Sequence, residues 1–340
     1  MNPFELTRAL VDIESITGNE AAVGHFLARE LQALGYKVEK MPVPNPYSKA
    51  ERFNVYAQPA AQVGAAAPQI TFSTHMDTVP PFFGSSQDEV KIYGRGACDA
   101  KGIIAAQVSA AEQLKKDGIA ASLLYVAGEE RDSLGARTAN RQARGSKFLV
   151  NGEPTENRIA TASKGALRVQ LTARGKMAHS AYPELGESAI DKLLEALARI
   201  RALEMPETPD IGPTTMNIGL IEGGRAPNVI PDFARAQLLI RLVAPAEELR
   251  QRITEAVQGL AEAAFVLEIP FVRLRTVDGL PSFVAKYTTD IPELSNWGEP
   301  VLFGPGSIHV AHTDEEFILK RELLEAVEIY CRIAKGLLGA

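Results

Sequence analysis

The sequence predicts an α/β protein in which a smaller α+β unit is inserted into a larger layered domain. Helical and extended patterns alternate through the first third of the chain, the order strand-helix-strand-strand-helix-strand follows, and the α/β pattern then returns. The 340 residues also exceed the length at which a single hydrophobic core usually stops growing. We therefore expect a discontinuous domain at residues 1–163 and 274–340 and an inserted domain at 164–273.

The elements of the first domain follow from helix start signals and from short apolar runs. Asn2 before Pro3 is a typical helix start, and Thr17 with Glu20 forms the pattern of a capping box that opens a second helix, ending at Gly35. Apolar runs with polar residues at their ends predict buried strands. The predicted strands are 37–43, 53–57, 70–74, 91–93, 122–127, 147–150 and 301–303, and the later helices are 103–116 and 315–338.

The inserted domain shows half-exposed strands and amphipathic helices. Its element order is that of a ferredoxin-like fold. The predicted strands are 167–172, 216–220, 234–242 and 265–275, and the predicted helices are 189–202 and 245–264.

Composition limits the class of protein. With 46% hydrophobic residues and mean hydropathy near zero, a disordered or fibrous chain is excluded. A net charge of −6 without long charged runs offers no basic surface for nucleic acid or anionic lipid. Cys98 and Cys331 are too few for a disulfide framework, and residues 1–15 do not resemble a signal peptide. We expect a cytoplasmic protein that acts on a small molecule and binds neither nucleic acid nor membrane.

Residue types that bind metals follow the predicted strands. Taken singly, each group would be an ordinary turn or a solvated strand end, but together they would lie along one edge of one sheet. Crowded carboxylates would repel one another without a cation, and this residue set suits one or two divalent metal ions. The residues are His75, Asp77, Asp99, Glu129, Glu130 and Glu153, joined by His312 from the far end of the chain.

Five segments of the sequence stand out: His75-Met-Asp-Thr-Val-Pro, Gly94-Arg-Gly-Ala-Cys-Asp-Ala-Lys-Gly, Gly128-Glu-Glu, Gly152-Glu-Pro-Thr and Gly304-Pro-Gly-Ser-Ile-His-Val-Ala-His. In order and spacing they resemble the motifs of the co-catalytic zinc peptidases and deacylases of clan MH. This family includes acetylornithine deacetylase, succinyl-diaminopimelate desuccinylase, aminoacylase and glutamate carboxypeptidase. The resemblance covers nearly the whole chain. It implies a zinc-exopeptidase-like α/β/α sandwich with an inserted ferredoxin-like lid and dimerisation domain.

The resemblance also implies two bound Zn²⁺ ions, for which Co²⁺ or Mn²⁺ could substitute. Asp99 would bridge the two ions. His75 and Glu153 would complete one metal site, and Glu130 and His312 would complete the other.

Three further residues receive catalytic roles from the resemblance. Asp77 would accept a hydrogen bond from the non-ligating nitrogen of His75, and Glu129 would be the general base that activates a metal-bridging water. Neighbouring residues on an extended strand point to opposite sides, so Glu129 and Glu130 should differ in role unless the chain bends. His179 would reach the partner subunit's site and stabilise the tetrahedral intermediate, although without the family it would be an ordinary loop histidine.

Four positions are expected to contact the substrate: Asn217, Asn228, Arg241 and the backbone at Gly306. A buried arginine at the end of a strand suits bidentate recognition of a carboxylate. For Arg241, an equally good interpretation is a side chain that reaches solvent or pairs with a nearby acid.

The leading hypothesis is a dizinc hydrolase that cleaves the amide bond of an N-acyl amino acid, similar to acetylornithine deacetylase, and that forms a homodimer through the lid. Glu153 favours a deacylase, because several aminopeptidases of the family carry Asp at that place. The alternative is a dipeptidase or a glutamate-type carboxypeptidase on the same dizinc site. A third hypothesis is an inactive metal-binding relative.

Overall fold

The computed structural model describes residues 2–60 and 68–339. The chain divides into two compact units. The first comprises Met1–Thr161, Leu274–Phe283 and Thr289–Ala340, and the second comprises Ala162–Arg273 and Val284–Thr288. Among the described residues, no helix is long and apolar enough to cross a membrane.

The secondary structure alternates between strands and helices in both units. The helices are α1 (Pro3–Val11), α2 (Ala21–Ala33), α3 (Lys101–Lys116), α4 (Leu134–Asn140), α5 (Ala189–Arg201), α6 (Glu247–Ala256) and α7 (Lys320–Leu338), with short 3₁₀ helices at Pro183–Leu185 and Ile291–Trp297. The strands are β1 (Tyr36–Pro42), β2 (Phe53–Pro59), β3 (Ile70–His75), β4 (Ser86–Gln87), β5 (Lys91–Tyr93), β6 (Ala121–Val126), β7 (Phe148–Asn151), β8 (Ile159–Ser163), β9 (Gly165–Arg174), β10 (Ala178–His179), β11 (Glu207–Thr208), β12 (Gly212–Pro213), β13 (Thr215–Gly223), β14 (Val229–Ile230), β15 (Phe233–Leu242), β16 (Glu262–Ile269), β17 (Val272–Arg273), β18 (Ser282–Ala285), β19 (Glu299–Leu302) and β20 (Phe317–Leu319).

The first unit is built on a six-stranded sheet with the order β1-β2-β6-β3-β7-β19. Strands β6, β3, β7 and β19 are parallel, and β2 joins them antiparallel. Both faces of the sheet are covered, because Leu123 and Tyr125 belong to one hydrophobic cluster while Leu124 and Val126 belong to another. This confirms the predicted α/β/α sandwich.

The parallel strands all end at the same edge of the sheet. His75 is the last residue of β3, and the chain leaves β6 at Val126, β7 at Asn151 and β19 at Leu302. In open α/β sheets, ligands bind at this edge. The fold therefore gathers the segments that follow these four strands.

The second unit is a four-stranded antiparallel sheet with two helices. The order β13-β15-β9-β16, with α5 between β9 and β13 and α6 between β15 and β16, is that of a ferredoxin-like fold. Alternate residues of β15 are buried, and Leu238 and Ile240 pack in a core with Leu193 of α5 and Ile253 of α6.

The smaller sheets complete the topology. Their orders are β10-β14, β11-β12, β17-β8-β18 and β20-β5-β4.

The predicted capping box at Thr17 is wrong. Helix α2 begins only at Ala21, and its N-cap residue Glu20 makes no side-chain capping bond. The Thr17 hydroxyl instead donates a hydrogen bond to Asp77 at 2.7 Å, and Glu20 pairs with Arg52 at 3.0 Å. Partners distant in the sequence replace the local cap.

Three predicted elements are too long. The strand predicted over 265–275 ends at Ile269, because Val272–Arg273 pairs with β8 instead. The helix predicted to reach Ala264 ends at Ala256, because Gly259 adopts a positive φ of 79° and the chain turns into β16. The last helix begins at Lys320 rather than Glu315, because residues Phe317–Leu319 pair with β5 instead.

The core of the second unit can be tested with two adjacent leucines. Leu193 is 1% exposed in this core, whereas Leu194 is 53% exposed. We expect Leu193→Ala to lower the free energy of unfolding by about 2–5 kcal/mol, because it leaves a cavity. Leu194→Ala should change it by less than about 0.5 kcal/mol. Urea unfolding followed by circular dichroism measures both, and equal losses would contradict the packing.

Candidate metal centre and active site

The candidate metal ligands meet at the edge where the parallel strands end. His75 closes β3, Glu130 lies in the turn after β6, and Glu153 lies two residues beyond β7. Asp99 lies in the loop before α3, and His312 lies between β19 and β20. All five belong to the first unit.

These five residues form two groups that could each hold a metal ion. His75, Asp99 and Glu153 make one group, and Asp99, Glu130 and His312 make the other, with one ligand atom of each residue within 4.8 Å of the others in its group. Asp99 belongs to both groups. Its Oδ1 lies 2.9 Å from His75 Nε2, and its Oδ2 lies 3.3 Å from His312 Nε2.

Asp77 holds the turn that carries the neighbouring acids. Its carboxylate accepts hydrogen bonds from the backbone N–H groups of Gly128, Glu129 and Glu130, at 2.8, 3.1 and 3.3 Å. The Thr17 hydroxyl donates the fourth bond. A fully buried carboxylate is thus satisfied by three main-chain donors and one hydroxyl group.

Two oxygens of Asp77 lie near the Nδ1 of His75. His75 Nδ1 lies 3.0 Å from the backbone oxygen of Asp77, but 3.6 Å from its carboxylate. The shorter contact orients the ring and leaves Nε2 toward Asp99. The carboxylate is occupied mainly by the turn at residues 128–130.

The sequence pattern suggested that Glu129 and Glu130 are neighbours on an extended strand, but they lie in a turn. Strand β6 ends at Val126, and Gly128 adopts a φ of 87° that starts a turn. The turn is held from the other side by Arg52, which bonds Asp132 at 3.0 Å. The bend lets Glu130 Oε1 approach His312 Nε2 to 2.9 Å, and it brings Glu129 within electrostatic range of Glu153.

The acids of the centre differ in the direction of their pKa shifts. Burial and repulsion from Glu153 raise the pKa of Glu129 well above its usual value, and burial followed by repulsion from Asp99 does the same for Glu153. Burial opposes ionisation of Asp99 too, but hydrogen bonds from His312 and His75 hold its pKa low.

The pKa values of the two imidazoles are raised as well. Hydrogen bonds to Asp99 and Glu130 raise the pKa of His312 to about 10. Burial lowers the pKa of His75, but the neighbouring carboxylates of Asp77 and Asp99 bring it well above its usual value.

The residues fit a pair of divalent metal ions. Imidazole nitrogens and carboxylate oxygens are the donors of both groups, as Zn²⁺, Co²⁺ or Mn²⁺ require, and neither group contains a cysteine. Glu153 Oε1 is buried without a hydrogen-bond partner in the described part of the chain. A cation would supply that partner and relieve the repulsion among the acids.

Three buried charged residues near this centre escaped the sequence analysis. They are Arg52, Asp290 and Glu316. Only Glu316 had a local signal, because it lies four residues after His312, which ends the last motif. Arg52 and Asp290 lie in segments without any motif.

Asp290 is the least satisfied of these residues. Neither of its carboxylate oxygens has a hydrogen-bond partner within the described ranges, and the residue is 1% exposed. Burial raises its pKa to about 7, and the nearby Ser133 hydroxyl offsets part of the rise.

Of the expected substrate contacts, Arg241 and Asn217 lie together in the second unit. They line a cleft of about 420 Å³ on its sheet, with Arg168, Gln237 and Leu239. Arg241 is half-buried, and burial lowers its pKa. Its side chain forms no ion pair with any described residue.

His179 and the other two expected substrate contacts, Asn228 and Gly306, do not line this cleft. His179 is exposed on β10, and its Nδ1 accepts a hydrogen bond from Ala181 N at 3.2 Å. The Asn228 backbone oxygen accepts from Ser180 N, next to His179. Gly306, in the first unit, has a φ of 82° and lies so close to the Cys98 sulfur that a side chain would collide with it.

Comparison with known proteins identifies relatives of this chain. Residues 161–266 match the peptidase dimerisation domain. The chain is 36% identical over 348 residues to a peptidase M20 domain-containing protein of Schizosaccharomyces pombe, with 98% of this chain and 84% of the relative covered. It is 38% identical over 376 residues to an Aspergillus terreus protein named "Probable carboxypeptidase", with 98% and 86% covered.

A solved structure is also similar. The crystal structure of an aminopeptidase from Bacillus cereus matches with a TM-score of 0.81 at 22% identity, covering 99% of this chain and 98% of the other. This likeness shows a shared fold.

The buried acid Asp290 predicts a pH effect on the metal-free protein. The folded state retains the proton of Asp290 up to about pH 7, whereas the unfolded chain loses it near pH 3.8, so this group destabilises the fold as pH rises between these values. We compare the free energy of unfolding of Asp290→Asn with that of the wild type at two pH values. The difference in favour of the variant should be larger at pH 8 than at pH 4 by at least about 1 kcal/mol.

Urea unfolding at both pH values, with a chelator present, measures this effect. Asp278→Asn is the matched control, because Asp278 is an exposed aspartate of the same unit and undergoes the same substitution. If the difference in unfolding free energy between Asp290→Asn and the wild type is the same at both pH values, the pKa of the Asp290 carboxyl group is not raised.

Proposed function

The chain belongs to the M20 family of metallopeptidases, and from that premise we propose that it cleaves the amide bond on the amino side of an amino acid with a free carboxylate. The family relationship makes it a metal-dependent peptidase that hydrolyses amide bonds. Short peptides and N-acyl amino acids both contain the proposed bond.

The observation that carries the proposal is the pair of ligand groups that share Asp99. A single metal site would use one of these groups, and a site that only stabilises the fold would have all its positions closed by protein ligands. Here two three-residue groups lie side by side, and Glu129 stands next to them without belonging to either. This arrangement supports hydrolysis at two metal ions.

The proposed ligands are those of the two groups. His75, Asp99 and Glu153 would hold one Zn²⁺, and Asp99, Glu130 and His312 would hold the other, with Co²⁺ or Mn²⁺ as possible substitutes. Two bound cations would lower the pKa of a shared water and polarise the carbonyl of the scissile bond.

Glu129 is the proposed general base. Its carboxylate makes no hydrogen bond with any described residue, and its raised pKa suits a group that accepts a proton from water and passes it to the leaving amine. Asp77 fixes the backbone of Glu129 and of Glu130, so that the base and one ligand move together.

Arg241 is the proposed anchor for the substrate carboxylate. A half-buried guanidinium without an ion-pair partner within the described residues is ready to form a bidentate pair with a carboxylate. Asn217 lines the same cleft and would supply a further hydrogen bond, and Asn228 and the backbone at Gly306 stay as proposed contacts.

The second unit is the proposed lid and dimerisation domain. Its match to the peptidase dimerisation domain supports a homodimer. Strand β13 lies at the edge of its sheet, with Leu220 and Ile221 about 60% exposed, which suits pairing with a second copy. We propose that His179 then serves the partner subunit's site as a donor to the intermediate.

Two candidate activities differ in the group on the acyl side of the scissile bond. Relatives named "Probable carboxypeptidase", 36–38% identical over nearly the whole chain, favour the release of a C-terminal amino acid from a short peptide. Glu153 favours the second candidate, an N-acyl amino acid deacylase similar to acetylornithine deacetylase. Two free, buried cysteines agree with the reducing cytoplasm as the proposed compartment.

Glu129→Gln tests the general base. We expect kcat to fall by about 10²- to 10⁴-fold while two equivalents of Zn²⁺ still bind, because the amide cannot accept the proton. Glu130→Gln is the matched variant, and it should lose both activity and metal. Metal content is measured by atomic emission, and kcat is measured on the best substrate.

Removal of the metal completes this test. Chelation should abolish activity on peptides and on N-acyl amino acids, and added Zn²⁺ or Co²⁺ should restore it. Activity that survives chelation, or that survives Glu129→Gln, would overturn the proposed chemistry and leave the inactive relative or another site as the explanation.

Arg241→Met tests the anchor. We expect KM to rise about 10- to 100-fold for substrates with a free C-terminal carboxylate, since a charge-assisted bond is lost, and to change little for the same substrates with an amidated C-terminus. Arg235→Met is the control on the same strand, because Arg235 already pairs with Glu222.

The same assay separates the two candidates. A panel of N-acetyl amino acids, N-succinyl amino acids and dipeptides, each with free and amidated ends, reports the preferred acyl group. Equal KM values for free and amidated ends in the wild type would refute recognition of a carboxylate.

A further inference from the structure

We propose that Glu316 is a positioning residue for the shared ligand Asp99, and that it sets the affinity of both metal sites. Glu316 does not belong to either ligand group. The inference rests on the proposed dimetal function and adds a residue that determines its geometry.

Glu316 is a fully buried carboxylate that grips the loop of Asp99. Its Oε1 accepts three hydrogen bonds from backbone N–H groups, those of Gly96, Cys98 and Asp99, at 3.0, 3.1 and 3.0 Å. Its Oε2 accepts from Arg95 Nη1 at 2.7 Å. One side chain thus fixes most of the main chain from residue 95 to residue 99.

The loop needs such a partner because it has no regular structure of its own. Gly94 and Gly96 have positive φ values of 138° and 89°, so the N–H groups do not point into a helix or strand ladder. A buried N–H without an acceptor costs about 1–3 kcal/mol, and Glu316 satisfies three of them. Arg95 extends the clamp, because its Nε donates to the Pro81 oxygen.

The clamp determines where the two oxygens of Asp99 point. With the backbone N–H of Asp99 held, Oδ1 reaches His75 and Oδ2 reaches His312. Both ligand groups depend on this division. A small rotation of the loop would move the two oxygens together, and so it would disturb both metal sites.

Glu316 also links the two loops that carry ligands. It lies four residues after His312 and directly before β20, which pairs with β5, and β5 leads into the loop of Asp99. Because the Gly94 N–H donates to the Glu316 backbone oxygen, the contact continues the β5–β20 ladder. The last segment of the chain therefore supplies a ligand and also orients the shared one.

Glu316→Gln tests the role without a change in size. In one amide orientation the NH₂ group meets the three N–H donors, and in the other it meets the guanidinium of Arg95, so neither orientation satisfies the site. Glu315→Gln is the matched control, because Glu315 is the adjacent residue and is exposed.

The readout is Co²⁺ binding to the metal-free protein, followed by visible absorption and calorimetry. We expect the wild type and Glu315→Gln to bind two equivalents, and Glu316→Gln to bind about 10- to 100-fold more weakly at both sites, as for partners that orient metal ligands. Melting of the metal-free form is recorded in parallel. If Glu316→Gln does not fold, Glu316→Asp, one methylene shorter, is judged by the same criterion.

Each outcome has one meaning. Unchanged Co²⁺ affinities and spectra, with only a lower melting temperature, would overturn the inference and leave Glu316 as a residue that stabilises the fold. A wild type that binds fewer than two Co²⁺ would overturn the dimetal proposal itself, and the inference with it. Loss of affinity at only one site would refute the claim that the clamp serves both.

Discussion

Repulsion among carboxylates at one edge of a parallel sheet is the constraint on which the rest of the centre depends. Asp99, Glu130 and Glu153 converge there, and Glu129 lies beside them. Negative charges held this close and this far from water must be neutralised, protonated or bound to a cation. The loops, the imidazoles and the second layer of acids are arranged around this need.

The buried acids solve the problem in two different ways. Asp77 and Glu316 are satisfied by hydrogen bonds from backbone N–H groups, three each, and so act as fixed anchors for loops. Asp99 faces the two imidazoles, and Glu153 keeps an oxygen without any protein donor in the described chain. The anchors therefore build the scaffold, and the acids with free capacity are left for a cation.

Sequence patterns predicted the sheet edge well, because buried parallel strands have long apolar runs and polar residues at their ends. They could not predict the contacts made across the fold. Thr17 looks like a helix cap only because its real partner, Asp77, is remote in the sequence. The turn at Glu129 depends on the positive φ of Gly128, and no periodicity reveals it. The buried charge of Asp290 leaves no local pattern at all.

The order of the ligands along the chain gives the two metal positions different histories. His75, Asp99 and Glu153 all precede the second unit in the sequence, so the three donors of one group are synthesised before that unit. The other group is complete only when His312, which follows the second unit, has been synthesised. Glu316, which holds the loop of Asp99, is synthesised four residues later. During synthesis, the acids of the centre are thus made before His312, the last imidazole that faces them. The donors of one proposed cation position are therefore made early, but both positions depend on Glu316, because it holds the loop of the ligand that they share.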